Sequence, residues 1–299
     1  MNAGRLPDLP LSEWEDSRLY WQLVSQMMGK IRLKLHPKMN HWWHATLYIS
    51  PRGITTGPIP YGEGSFEIEQ DLVDRQIVVR SPDRTLFLPL TSRPIADCYA
   101  DLFRSLAEMG IQVSIIAKPY DCKSKTPFPV DHDHATFDAD AVTRAWMTLT
   151  QIEPVFKQFR GRFIGKSSPV QFFWHSFDLA VARFSGQRAP AMPNADKVTQ
   201  EAYSHEVNSA GFWFGDDNYP APAFYCYHAP LPESFANSQL APKEAQWIEL
   251  RGSPMALLPY EAVRKSQDPD QMILDFLQSS YEAGANAANW PREELERIG

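Results

Sequence analysis

The chain carries its own pattern twice, so any fold it adopts must first accommodate two related halves. Gly29-Lys30-Ile31, with Lys34 and Pro37, matches Gly161-Arg162-Phe163, with Lys166 and Pro169, without a gap. After one residue of slippage Trp43-His44 falls on Trp174-His175, and later Leu88-Pro89 matches Leu258-Pro259. A further block occurs as Asp101, Leu102, Phe103, Ser105, Glu108 and Gly110, and again as Asp275, Phe276, Leu277, Ser279, Glu282 and Gly284. Blocks recurring in one order predict an internal duplication, with a first repeat at residues 1–120 and a second at 121–299 related by a pseudo-twofold axis. Such halves face each other across a cleft, and function is expected where the symmetry breaks.

The symmetry breaks in the second half. His44 and Leu88 are 44 positions apart, whereas their counterparts His175 and Leu258 are 83 apart, a difference of about forty residues. The extra segment is expected at about residues 187–246, and irregular insertions of this length are usually functional.

Local patterns predict α+β, each half reading helix, antiparallel strands, helix. Ser12 is a candidate helix cap, followed by Leu19, Leu23 and Met27 at helical spacing. Helices are also expected at 95–109, ended by Gly110, at 139–159 with a bend at Pro154, and from Pro269 through Tyr281. Strands are expected at 41–50, 66–69, 76–80, 86–90, 111–117, 172–184, 224–228, 247–250 and 255–258.

Composition removes several classes. Apolar residues make up 43% and charged residues 22%, which is globular. A net charge of −7 argues against nucleic-acid binding, and the cluster Arg160, Arg162, Lys166 reads as a solvated helix end. No apolar stretch approaches the roughly 20 residues of a membrane helix. Residues 1–16 lack the apolar core of a signal peptide. Cys98, Cys122 and Cys226 have neither metal-type nor disulfide-framework spacing, so a reducing, cytoplasmic setting is expected.

Candidate chemistry gathers in aromatic and histidine-bearing stretches. In a strand over 41–50, Trp42, His44, Thr46 and Tyr48 share one face, an aromatic wall able to hydrogen-bond and suited to a small-molecule pocket. The plainer alternative is a second packed layer with His44 buried and satisfied. His175 matches His44 in the repeat, so the two are expected to approach each other across the axis. Asp178 lies beside Trp174 and is either a pocket carboxylate or one half of a structural ion pair; Arg183, the nearest partner in sequence, points to the other face.

The insertion supplies the rest. If residues 201–206 are helical, Glu201 and His205 share a face and bind a divalent transition metal, with Glu206 beside them as a base. If they form a strand, His205 and Glu206 diverge. His134, from Asp131-His132-Asp133-His134, is the remaining ligand candidate, although that run also reads as a solvated loop. Tyr203 and Trp213 are expected to line the pocket. Nucleophile-elbow, Walker and dinucleotide motifs are absent from the sequence.

Over nearly its whole length the chain resembles a widespread bacterial family known only as a domain of unknown function. The resemblance rests on Gly29-Lys30-Ile31-Arg32, Asn40 to His44, Pro51-Arg52-Gly53, Phe172-Phe173-Trp174, Arg183-Phe184-Ser185-Gly186, Glu201 to Val207, Gly211-Phe212-Trp213 and Leu258-Pro259-Tyr260-Glu261. It implies no activity. The family pattern has histidine where this chain has Gln171, and glycine where it has His175, a departure that weighs against a symmetric His44/His175 pair.

The residues together point to an enzyme acting on a small molecule between the halves, with His44, His205 and Glu206 as catalytic groups. A non-catalytic binding or sensing protein using the same cleft is one alternative. The other is an assembly component binding through Phe212-Trp213-Phe214.

Overall fold

The computed structural model describes residues 6–250 and 252–297; residues 1–5, part of the stretch read as lacking a signal peptide, lie outside them. After a short turn at Leu11–Glu13, helix α1 (Glu15–Leu35) runs with Glu15 and Asp16 in its first turn, where acids complement the helix dipole. No side chain caps it, so Ser12 does not take the expected role.

Helix α1 is buried on almost every side from Ser17 to Gly29, so each polar side chain on it must find a partner inside the protein. Gln22 donates to the His175 carbonyl at 2.6 Å. Gln26 donates to the Tyr120 carbonyl at 2.7 Å and accepts from the Tyr120 amide at 2.8 Å. Ser25 accepts from Gln70 at 3.0 Å, and Arg32 donates to the Thr56 carbonyl at 2.6 Å. The helix thereby fixes loops that lie far apart in the chain.

The first sheet comprises β1 (Tyr48–Ser50), β2 (Gly53–Thr55), β3 (Ile59–Tyr61), β4 (Gly64–Asp71), β5 (Gln76–Arg80) and β6 (Thr85–Pro89). They pair antiparallel in the order β1-β2-β4-β5-β6, with β3 also on β4. Helix α2 (Ile95–Glu108) follows and ends at Gly110, whose φ of 75° suits glycine. Helix α3 (Ala139–Gly161) is capped by the Asp138 carboxylate and stays continuous through Pro154.

The second sheet comprises β7 (Gln171–Phe173), β8 (Asp178–Arg188), β9 (His205–Trp213), β10 (Ala223–Ala229), β11 (Gln246–Leu250) and β12 (Ser253–Pro259). It is antiparallel in the order β11-β12-β10-β9-β8-β7. Short helix α4 (Lys197–Ala202) precedes β9, and α5 (Tyr260–Arg264), α6 (Pro269–Ala287) and α7 (Arg292–Leu295) complete the chain. The fold is mixed α+β with two antiparallel sheets. No described helix is long and apolar enough to cross a membrane.

The two sheets meet at one residue pair. Leu47, just before β1, and Phe172 in β7 exchange both backbone hydrogen bonds at 2.9 Å. One hydrophobic core draws on residues from along the whole described chain: Trp21 of α1 lies 5.0 Å from the Phe177 ring and 6.3 Å from that of Phe172.

Three expected strands change form. Residues 40–42 make a tight turn in which His41 (φ 54°) and Trp42 (φ 61°) are both left-handed, and only Tyr48–Ser50 is strand. The stretch 172–184 is broken into the β7–β8 hairpin at Phe177 (φ 59°). Residues 111–117 form no regular strand.

Candidate functional site

The two faces of the second sheet differ in character. Phe224 and His228 of β10 point to the helices, Phe224 against Phe156 of α3 and His228 against Gly284 of α6. Strand alternation and register put Asp178 and Phe184 of β8, His205, Ser209, Gly211 and Trp213 of β9, and Tyr225 and Tyr227 of β10 on the opposite face. Glycine at 211 is a spatial requirement there, since a Cβ would lie 2.4 Å from the Tyr225 ring.

A polar strip runs along that face. The hydroxyls of Ser176 and Tyr225 both donate to the Asp178 carboxylate. Burial pushes the Asp178 carboxyl above its ordinary pKa, against the pull of those two donors. Tyr225 stacks on Tyr227 at 6.2 Å, and the Tyr227 hydroxyl lies 2.9 Å from that of Tyr203. Tyr203 sits in the turn from α4 into β9, two residues before His205, so the strip leads to an imidazole.

Beside His205 lies the turn at residues 40–43, which follows α1. The His41 ring lies 5.7 Å from that of His205, 4.5 Å from Phe184 and 5.2 Å from Trp43. Its Nδ1 is 3.1 Å from the Ala202 carbonyl. A carbonyl only accepts, so Nδ1 carries the proton and the Nε2 lone pair is free to accept. Lys166 Nζ stands 2.6 Å from that Nε2, with the Phe184 and Trp43 rings 5.3 and 5.8 Å from the ammonium.

The electrostatics follow from burial and like charge. Burial first, then Lys166 and His205, hold the His41 imidazole below its ordinary pKa, against the Ala202 hydrogen bond and Glu201. Burial, Lys166 and Arg188 do the same to His205, and burial lowers the Lys166 amine. Arg188 pairs in register with His205 across β8 and β9. Two neutral imidazoles beside two cations suit a small anion and proton exchange with it. Consecutive left-handed residues at His41 and Trp42 are the kind of strain that clusters at functional sites.

The expected residues fall as follows. His44 does not meet His205; it is buried, accepts from the Met39 amide at 3.2 Å and lies 5.2 Å from the Trp42 ring, holding its own turn together. Trp42, His44 and Tyr48 share no strand wall, because the chain turns where a strand was expected; Lys38 covers Trp42 and Arg32 covers Tyr48. His175 bonds through its carbonyl to Gln22, and its Nδ1 is 3.6 Å from Asp121. Residues 201–206 divide between the end of α4 and the start of β9, so His205 and Glu206 diverge, and Glu206 accepts from Ser185 at 2.8 Å.

Glu201 stays near His41 and His44, whereas His134 is 2.9 Å from Asp131, where that loop meets the start of α2. Among the described residues no group of three or more His, Cys, Asp or Glu is arranged to hold a metal ion. Asp178 and Trp213 pair in register beside Tyr225, and Tyr203 lies at the other end of the strip, on Tyr227. Sequence reasoning passed over His41 and Lys166, although Lys166 stood in a matched repeat block and His41 opened the aromatic one.

Residues 6–297 match a family described as a family of unknown function (DUF5996), and the chain belongs to it. No curated protein and no solved structure matches the chain.

Proposed function

From a family membership that brings no activity with it, we propose an enzyme acting on a small anionic molecule where the turn at residues 40–43 meets the insertion of the second half. The observation that carries this reading is the short contact of Lys166 Nζ with a His41 ring whose other nitrogen is fixed on the Ala202 carbonyl. Lys166 and Arg188 hold the anion. Lys166 delivers a proton and the neutral imidazole of His205 accepts one, while His41, whose Nε2 lone pair takes the Lys166 N–H, positions that amine; lowered pKa values keep both imidazoles unprotonated near neutrality. The half-buried phenols of Tyr203, Tyr225 and Tyr227 give the ligand an aromatic wall.

A divalent metal has less support in this reading, because the two cations beside the imidazoles oppose a third. The duplication belongs to the same proposal. Both halves read helix, antiparallel strands, helix, and the matched Leu88-Pro89 and Leu258-Pro259 end β6 and β12 alike. A reducing compartment suits the three free thiols.

The test is turnover of a panel of small carboxylates and phosphate esters followed by proton NMR, with Lys166→Met and His41→Gln alongside the native protein. Product from the native protein, lost in both variants, supports catalysis. Binding without product, retained in His41→Gln, replaces it with the sensing alternative.

A further inference from the structure

We propose that the cleft between the end of α3, strand β8 and the C-terminal segment binds a small oxyanion, a phosphate or carboxylate group, on Arg162, Arg183 and Arg297. The cleft encloses about 340 Å³ and is lined by these three arginines, Gln278 and Glu296. It lies on the helix-packed side of the second sheet, since Arg183 alternates with Phe184, and is separate from the His41 cluster.

Arg183 is the anomaly that points to a ligand. The residue is 1% exposed, and its guanidinium carbon lies 3.4 Å from the Phe159 ring centroid, 4.4 Å from Tyr281 and 5.1 Å from Phe163. One nitrogen donates to the Phe159 carbonyl, while the buried Nε has no partner among the described residues. Three aromatic faces ease a cation's burial, and Glu296 offsets its charge only from a distance, with no hydrogen bond to the guanidinium among the described residues. Buried charges are ordinarily paired, because desolvation costs several kcal/mol unless an opposite charge offsets it.

The acids nearby are already engaged. Glu296 is held by Arg292 at 2.5 Å, and Arg292 also binds Glu282 at 2.7 Å. Arg162, Arg183, Arg292 and Arg297 against Glu282 and Glu296 leave an excess of two positive charges, in a chain whose net charge is −7. The wall is also fixed in place. The Arg297 amide donates to the Arg162 carbonyl at 2.9 Å, the Ile164 amide donates to the Leu295 carbonyl at 2.8 Å, and Phe163 bridges Glu296. Planar guanidinium forks held on paired backbone match the oxygens of phosphate and carboxylate.

The experiment is isothermal titration calorimetry of the full chain with inorganic phosphate and, separately, succinate, against chloride at fixed ionic strength. Because Lys166 and Arg188 of the proposed active site also hold anions, the titrations are made in the Lys166→Met/Arg188→Met background; saturable one-site binding of either anion is expected there, weakened roughly tenfold or more when Arg162→Gln and Arg297→Gln are added. Gln278→Glu, which leaves the cleft arginines in place and adds a carboxylate to the cleft, is expected to weaken it as well, so a fold defect on loss of the two arginines does not decide the result. With Lys166 and Arg188 removed, a site that remains belongs to this cleft and not to the proposed active site. Absence of saturable binding by both anions overturns the proposal. So does binding in that background that survives the cleft substitutions.

Discussion

Trp174 occupies the space that any side chain at Gly29 would need: a Cβ there would lie 2.1 Å from the indole. The same indole N–H donates to the Ala45 carbonyl at 2.6 Å, so one ring joins α1 to the segment that follows His41. A glycine inside a helix costs about 1 kcal/mol relative to alanine. Here the close approach of the indole outweighs that cost.

Gly29→Ala is therefore expected to destabilise the protein by about 1–3 kcal/mol, because overpacking against a rigid indole exceeds the gain in helix propensity. Urea unfolding at neutral pH measures it. An unchanged or higher midpoint would contradict the close contact.

Gln26→Leu should cost about 2 kcal/mol or more, since it leaves the Tyr120 amide and carbonyl without the partner that now satisfies both. Protection of the Tyr120 amide against hydrogen exchange should fall along with the unfolding midpoint. Unaltered protection would show that the loop is held by something else.

His228 sets an acid limit on stability. It is buried with neither ring nitrogen partnered among the described residues, and burial lowers its pKa to about 4. The unfolded chain takes up a proton near the ordinary value of about 6.5, which the folded ring refuses. Stability from this group is complete above about pH 6.5 and is lost as pH falls toward 4, by about 3 kcal/mol in all. Comparing urea midpoints of the native protein and His228→Leu between pH 7.5 and 4 isolates the effect; parallel curves would refute it.

The imidazoles of His41 and His205 should titrate below the ordinary histidine range, and Lys166→Met should move both upward, because it removes a positive charge that opposes their protonation. Histidine ring resonances followed by NMR across pH 4–9 give both midpoints. A Lys166 variant that leaves them in place would separate Lys166 from the cluster.

Much of the scaffold was legible because it depends on local rules. The apolar period of α1, the Gly110 stop after α2 and the Asp268-Pro269 start of α6 are decided within a few residues, and the helices stand there. The turn at residues 40–42 was not legible. Its aromatic composition is that of a strand, and nothing in the residue types requires His41 and Trp42 to be left-handed. With a strand expected there, His44 and not His41 reads as the residue facing a pocket.

The site itself depends on distant parts of the chain. Lys166 is 125 positions from His41, and Ala202, whose carbonyl sets the His41 tautomer, is 161 positions away. Arg183 was read as facing away from Asp178. The aromatic rings that receive it come from α3, the segment after it and α6, a convergence no local pattern encodes.

The meeting of Leu47 with Phe172 has a consequence for the chain as a whole. β1 and β7 are each the outermost strand of their own sheet, and the one closed pair between them sets those borders against each other. A fragment ending before β7 would leave the β1 border bare, inviting pairing with any extended chain nearby. At Leu47 and Phe172 each sheet thus occupies the backbone groups that the other would otherwise leave open at its border.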